Sequence, residues 1–167
     1  INVFKKLNKN STENEELSKN YFKQLTDEPS TAFVGHLALM RQAIFDKKDL
    51  NEIINEGLKA LKFEPKSKQI LEVLLFSYAK LKDISNSLVY VNKLKKLNYM
   101  EDNIYKNISA DLNYLKALDY LEDEKSYLAT NHLKEAFKQK PSHIGASVKL
   151  SGLLKGIGSK TKSIDQL

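Results

Sequence analysis

The sequence predicts an all-α protein in which antiparallel helix pairs stack along the chain into a superhelix. Three observations support this prediction. Apolar residues recur at helical spacing, turn residues recur in phase with them, and helix breakers are scarce, with six glycines and three prolines in 167 residues. Because a single helix pair buries too little apolar surface to be stable, consecutive pairs are expected to share one elongated core.

A repeat of 34 residues is the strongest of these signals. The stretch KDLNEIINEGLKALKFEP begins at Lys48, and a weaker copy, KDISNSLVYVNKLKKLNY, begins 34 residues later at Lys82. That period is typical of tetratricopeptide repeats, each of which is one helix-turn-helix pair. At this offset one apolar helix face, Leu37, Met40 and Ile44, aligns with a second, Leu71, Leu74 and Tyr78.

The helix ends are predicted from short polar residues and prolines. Asp49 and Asp83 are predicted to cap the second helices of their repeats, because their side-chain oxygens can accept from free backbone N–H groups. Glu52 follows Asp49 at the spacing of a capping box, and Pro65 is predicted to end that helix. A later second helix is indicated by a pattern of small and large residues before a proline: Ala129, Leu133, Ala136 and Pro141.

These signals predict a single tetratricopeptide-repeat domain over residues 1–167. It consists of a half-repeat at 1–29, repeats at about 30–65, 66–100 and 101–141, and a partial repeat at 142–167. The half-repeat is expected to contain a helix break before a capping box at Thr12 and Glu15. The third repeat is expected to open with a long helix from Asp102 to Leu121, whose core stripe is Ile108, Leu112, Leu115 and Leu118.

The partial repeat is predicted to contain one complete helix. Ser142 is the expected N-cap and Gly158 the expected stop. The apolar face of this helix is predicted to be Val148, Leu150 and Leu154. The final stretch, SKTKSIDQL, would then open the partner helix.

Composition and motifs argue against an enzyme. The chain has no cysteine, which excludes disulfides, thiolate zinc sites and cysteine nucleophiles. The three histidines, His36, His132 and His143, form no zinc-ligand motif and are predicted to be solvated on helix surfaces. Carboxylate runs at Glu101–Asp102 and Glu122–Glu124 fall at predicted turns, where helix capping explains them. We therefore predict no catalytic residue, cofactor or metal site.

The charge gives little support for nucleic-acid binding. The net charge is +6, but Arg41 is the only arginine among 27 basic residues. A nucleic-acid binder would therefore lack the arginine fork that reads guanine edges, and no nucleic-acid partner is expected. No apolar run approaches the roughly 18 to 20 residues that span a bilayer.

The first helices of a tetratricopeptide superhelix line its concave face, where peptides and partner helices bind. The faces of these helices that point away from the predicted core carry a set of polar and aromatic residues: Gln42, Phe45, Gln69, Glu72, Phe76 and Lys80. We predict that this groove set binds a protein or peptide partner. An equally open alternative is that Phe45 and Phe76 pack between adjacent repeats. The clamp of repeat proteins that bind chaperone C-termini is absent, because Ala38, Gln42, Glu72 and Phe76 occupy its positions.

The stretch from Leu25 to Leu97 combines several motifs. Pro29, Thr31, Phe33 and Gly35 precede the Lys48-Asp49 turn, and LKFEPKS and ILEVLLFSYAKLKD follow it. The later HLKEAFKQKPSHIGASVKLSGLL continues the pattern. With these motifs, residues 20–167 resemble the C-terminal region of HemY-type tetratricopeptide proteins of proteobacteria.

This resemblance implies a non-catalytic scaffold associated with haem (tetrapyrrole) biosynthesis. It implies attachment to the bacterial inner membrane through an N-terminal segment outside this sequence, with the soluble domain facing the cytoplasm. It carries over no catalytic residue and no haem ligand; His36, beside Gly35, is the only histidine within the first motif. Two alternatives remain: a protein that binds or handles tetrapyrroles directly, and self-association through exposed half-repeats. The identity of the partner and the oligomeric state stay open.

Overall fold

The structure, a computed structural model, describes the backbone of residues 2–164 and the side chains of residues 14 and 16–156. This part of the chain is entirely helical. Its helices are α1 (Asn2–Asp27), α2 (Ala32–Phe45), α3 (Leu50–Phe63), α4 (Lys68–Lys80), α5 (Ile84–Lys96), α6 (Asp102–Glu122), α7 (Ser126–Gln139) and α8 (Ile144–Ile164). Short turns connect helices that pack on each other in chain order, so neighbours run antiparallel. The predicted all-α fold class of antiparallel helix pairs is confirmed.

The chain forms two compact units, Ile1–Leu81 and Lys82–Leu167. In the first unit α1 packs on α2, α2 on α3 and α3 on α4. In the second unit α5 packs on α6, α6 on α7 and α7 on α8. The predicted repeats at about 30–65 and 101–141 each contain one helix pair. The predicted repeat at about 66–100 contributes α4 to the first unit and α5 to the second.

The core of the first unit follows the predicted stripes in part: of their six members three are buried, two are half-buried and one is exposed. Met40, Leu71 and Leu74 are fully buried, as the 34-residue alignment predicts. Ile44 was expected beside them, but it is 43% exposed because it lies in the last turn of α2, where the chain leaves the helix pair. Gly57 brings α3 close to this core, since a Cβ there would lie 3.3 Å from the sulfur of Met40.

The core of the second unit confirms the predicted pattern in α7. Ala129, Leu133 and Ala136 are all fully buried there. The predicted stripe of α6 is partly wrong, because Leu112 is buried but Leu115 is 43% exposed. The face that α6 buries is instead made of small and polar residues beside Leu112: Ser109, Ala110, Asn113 and Ala117. Small side chains let neighbouring helices approach closely, which a search for large apolar residues overlooks.

The N-caps predicted at Asp49 and Asp83 are confirmed. Asp49 accepts a hydrogen bond from the backbone N–H of Asn51 at 3.1 Å, and Asp83 accepts from that of Asn86 at 3.0 Å. Helix α3 ends at Phe63, two residues before Pro65, as predicted. The carboxylate of Glu52 lies 3.4 Å from the ammonium nitrogen of Lys19 in α1, so this side chain links α3 to α1.

Both predicted breaks near the ends of the chain are wrong. Helix α1 runs without interruption from Asn2 to Asp27, and α8 continues past Gly158 to Ile164. A glycine inside a helix costs only about 1 kcal/mol, which neighbouring residues can offset. The side chains of Thr12 and Glu15, together with residues 1 and 165–167, lie outside the described part.

The start and apolar face of α8 also differ from the prediction. His143, rather than Ser142, precedes the first helical residue, and its Nδ1 accepts from the backbone N–H of Ala146 at 3.1 Å. Val148 and Leu154 are 64% and 46% exposed, and Ala146 is the fully buried residue of this helix. No helix of the described residues is long and apolar enough to cross a bilayer.

Candidate functional site

The predicted groove set lies on α2 and α4 of the first unit. Its two aromatic residues are prominent, because the side chain of Phe45 is 82% exposed and that of Phe76 is 63% exposed. The guanidinium of Arg41 in α2 donates a 2.6 Å hydrogen bond to the amide oxygen of Gln69 in α4. This bond links side chains of the two helices at the solvent-exposed side of the unit.

The remaining members of the set differ in exposure. Gln42 and Glu72 are half-buried, and Lys80 is exposed. The Glu72 carboxylate lies 3.8 Å from the ammonium of Lys68, one helical turn earlier. The alternative in which Phe45 and Phe76 pack between repeats is not what the structure contains, since both rings remain mainly accessible to solvent.

A buried polar cluster lies between α2 and α3 in the same unit. The carboxylate of Glu56 is 2.7 Å from Nδ1 of His36 and 2.7 Å from the ammonium of Lys59. Burial by itself raises the pKa of Glu56, but the hydrogen bonds and charges of Lys59 and His36 outweigh it and hold the pKa below its usual range. The ring of Phe63 stacks on His36 at 6.3 Å between ring centroids.

The second unit contains two further histidine contacts. His132 hydrogen-bonds through Nδ1 to the amide oxygen of Asn113 at 2.8 Å and stacks on Tyr120 at 5.4 Å. Burial, followed by the nearby charge of Lys116, lowers the pKa of His132. The ring of His143 lies 4.8 Å from that of Tyr114, and its Nε2 is 3.4 Å from a carboxylate oxygen of Asp111.

The prediction that the three histidines are solvated on helix surfaces is therefore wrong. Each is half-buried and contacts a neighbouring helix of its own unit. Their partners lie on other helices, about 20 to 30 residues away, so no local spacing marks them. The signal that the sequence offers is weak: a histidine or carboxylate on a face otherwise made of core residues, as with Glu56 between Ile53 and Ala60.

The hydrogen bonds and ion pairs of these clusters join neighbouring helices. Among the described residues, no group of three or more histidine and acidic side chains could hold a metal ion. The Glu56 carboxylate accepts from both His36 and Lys59, and its bond to His36 ties α2 to α3.

Each unit contains an open cavity. One, of about 420 Å³, lies between α7 and α8 and is lined by Phe137, Ser147, Leu150, Ser151, Leu154 and Lys155. The other, of about 360 Å³, lies in the first unit where α3 ends, and is lined by Phe63, Glu64, Pro65, Lys66 and Ser67. The first is an apolar furrow, whereas the second adjoins the ring that stacks on His36.

No protein-family model matches the chain, and no curated protein matches it significantly.

Proposed function

We propose that this protein is a non-catalytic scaffold whose first unit binds a segment of a partner protein across α2 and α4. The observation that supports this best is the exposure of Phe45 and Phe76, at 82% and 63%, on helices whose other faces are buried. Exposed aromatic residues on a preformed surface are the usual anchors of protein interfaces. Lys80, Glu72 and Gln69 supply polar groups around them.

The partner segment is proposed to be an apolar peptide or amphipathic helix with an acidic end. Phe45 and Phe76 would take its apolar side chains, and the exposed ammonium of Lys80 would favour a carboxylate. The resemblance of the sequence motifs to those of HemY-type proteins extends this proposal to a cellular setting. They suggest a scaffold that organises enzymes of tetrapyrrole biosynthesis at a bacterial inner membrane.

A peptide selection tests the binding surface directly. Displayed peptides would be selected on the wild-type protein. Calorimetry would then measure the affinity of the best-binding peptide for the wild type and for the double variant Phe45→Ala/Phe76→Ala. We expect the double variant to bind at least about tenfold more weakly, because each ring is an anchor. The matched control is Leu115→Ala, whose side chain is also exposed but lies on α6. Equal affinity of wild type and the double variant would contradict the proposed surface.

Direct tetrapyrrole handling is the second candidate. The observation that favours it is the 360 Å³ cavity at Phe63, whose ring stacks on His36. Two features make it the weaker candidate: the cavity is open, and Nδ1 of His36 is already bonded to Glu56. A Soret-band titration with haem and with protoporphyrin IX distinguishes the candidates. Saturable binding that is lost in His36→Ala, but kept in His132→Ala, would replace the scaffold proposal, and a flat titration would remove this candidate.

A further inference from the structure

Two of the three half-buried histidines face a carboxylate. Nδ1 of His36 lies 2.7 Å from a carboxylate oxygen of Glu56, and Nε2 of His143 lies 3.4 Å from a carboxylate oxygen of Asp111. A protonated imidazole keeps such a contact, because its N–H groups donate to an ionised carboxylate. Mild acid should therefore leave these two contacts between helices in place.

His132, on α7, has a different partner. Its Nδ1 lies 2.8 Å from the amide oxygen of Asn113 on α6, and among the described residues no carboxylate forms an ion pair with this histidine. The buried amide nitrogen of Asn113 donates to the carbonyl oxygen of Ser109 at 2.9 Å and to its hydroxyl at 3.3 Å. The amide oxygen therefore faces the ring, so Nδ1 carries the proton of the neutral imidazole and a second proton would bind at Nε2.

The charge that α6 presents to His132 opposes this second proton. The ammonium of Lys116 lies 5.0 Å from the ring centroid of Tyr120, and that ring stacks on the imidazole at 5.4 Å. The carboxylate of Asp119 is exposed and lies 3.9 Å from the same ammonium. Burial, followed by the charge of Lys116, lowers the pKa of His132 in the folded unit.

The other surroundings of His132 supply no free carboxylate. The helices that pack mainly on α7 are α6 and α8, and α8 has lysines but no acidic residue between Ile144 and Ile164. On α7 itself, Glu135 lies one turn from His132. Its carboxylate accepts from Gln139 at 2.7 Å and lies 3.9 Å from the ammonium of Lys138. The acidic side chains closest to this histidine thus have partners of their own.

We propose that His132 is an acid sensor of the second unit, and that its protonation loosens the packing of α6 on α7 while the first unit stays intact. The proposal does not depend on the binding surface of α2 and α4. In its favour, the contact between the two helices at this point requires a neutral ring, since the amide oxygen of Asn113 takes one N–H and no carboxylate is bonded to the other nitrogen.

The pH range follows from the direction of the shift. Because the pKa of His132 is lower in the folded unit than its unfolded value of 6.5, the unfolded chain binds the proton first. The contribution of the neutral ring is fully present above pH 6.5 and is lost as the pH falls through the folded pKa. A single proton changes the unfolding equilibrium constant by at most about tenfold per pH unit. The first unit responds in a more acidic range, since the contribution of Glu56 is fully present down to pH 4.5.

Hydrogen exchange measured by mass spectrometry at about pH 7.5 and about pH 5.5 tests the proposal, with rates corrected for the intrinsic pH dependence of exchange. In the wild type we expect amide protection of α6 and α7 to be about three- to tenfold lower at the acidic pH, and that of α2 and α3 to be unchanged. His132→Asn should abolish this fall, because the asparagine side chain can donate to Asn113 from the position of Nδ1 and does not titrate.

The matched control is His143→Asn. This histidine is also half-buried in the second unit, and asparagine preserves its N-cap of α8, so the variant should show the same fall in α6 and α7 as the wild type. An NMR titration of His132 in the wild type needs no variant and should give a midpoint below 6.5. A midpoint at or above 6.5, an equal fall in wild type and His132→Asn, or an equal fall in α2 and α3 would each overturn the proposal.

Discussion

Gly35 and Gly152 both lie inside helices, but an added methyl group would meet different surroundings at the two positions. A Cβ at Gly35 would lie 2.8 Å from Cγ2 and from the backbone nitrogen of Thr26, and 2.9 Å from the carbonyl carbon of Leu25. A Cβ at Gly152 would meet nothing within 4 Å. Glycine at position 35 is thus required by the close approach of α1 and α2.

Gly35→Ala is expected to destabilise the protein by about 1–3 kcal/mol, because two of the three atoms it meets are backbone and α1 must move. Gly152→Ala is the control. It should be neutral or stabilise by up to about 1 kcal/mol, since alanine is the better helix former. Urea denaturation followed by circular dichroism measures both. Equal urea midpoints for the two variants would show that α1 shifts to accommodate the added methyl group at position 35.

The Glu56 cluster makes a second prediction at the residue scale. Glu56→Gln keeps the shape of the side chain but removes the charge that Lys59 and His36 surround, so we expect a loss of about 1–3 kcal/mol in the free energy of unfolding. Glu135→Gln, on the more exposed surface of α7, should change stability by less than about 0.5 kcal/mol.

The same variant has a pH signature. The pKa of Glu56 is lower when folded than its unfolded value of 4.5. Its contribution is therefore fully present above pH 4.5 and is lost as the pH falls through the folded pKa. The difference in stability between wild type and Glu56→Gln should shrink over that acidic range. A difference that stays constant down to the folded pKa would exclude the charge as its source.

Residue-scale prediction from the sequence succeeded where one helix decides the outcome. Helical spacing was enough to identify Met40 and Leu74 as buried, but it left open whether Phe45 and Phe76 pack between repeats or face solvent, as the structure has them. It failed for His36, because its partner Glu56 comes from the next helix and the contact depends on how the two helices are rotated. Such contacts are made by common residue types, so they leave no local pattern in the sequence.

At the scale of the helices, four turns share one backbone feature. Lys47, Lys82, Asn98 and Glu124 follow helix ends and all have a positive φ, between 53° and 59°. In the turn after α6, the N–H of Lys125 bonds to the carbonyl of Tyr120 at 2.8 Å and that of Glu124 to Leu121 at 3.1 Å. This is the Schellman arrangement, which usually has glycine at the left-handed position.

Glu124→Gly is expected to stabilise the protein by about 0.5–1 kcal/mol, because glycine adopts this φ without the steric penalty of a Cβ. Glu122→Gly, two residues earlier and still inside α6, should instead destabilise by about 1 kcal/mol or less. In thermal denaturation, the Tm of Glu124→Gly should rise and that of Glu122→Gly should fall relative to the wild type. Destabilisation by both would mean that interactions of the Glu124 side chain outweigh the backbone strain.

These turns explain how far the sequence predicts the helices. Asp49, Asp83 and Pro65 mark helix ends through strong local chemistry, and the ends fall where they were predicted. Gly158 and Thr12 offered weaker signals of about 1 kcal/mol, and the helices run through both positions. The lysines, asparagine and glutamate with positive φ did not mark helix ends in the sequence, since these residue types are common in helices and turns alike.

At the scale of the whole molecule, each helix packs mainly on its neighbours in the chain. The first unit contains the contacts of α1 with α2, α2 with α3 and α3 with α4, and the second those of α5 with α6, α6 with α7 and α7 with α8. Stability in such an array is approximately a sum of local terms between neighbours. Damage to one unit should consequently remain within it.

Hydrogen exchange measured by mass spectrometry tests this locality with two variants. Gly35→Ala should reduce amide protection in α1, α2 and α3 and leave α6, α7 and α8 unchanged. Leu133→Ala removes a fully buried side chain from the second unit, at a cost of about 2–5 kcal/mol, and should give the reverse pattern. Uniform loss of protection in either variant would show that the two units unfold as one cooperative body, because only then does local damage lower the opening free energy of every helix equally.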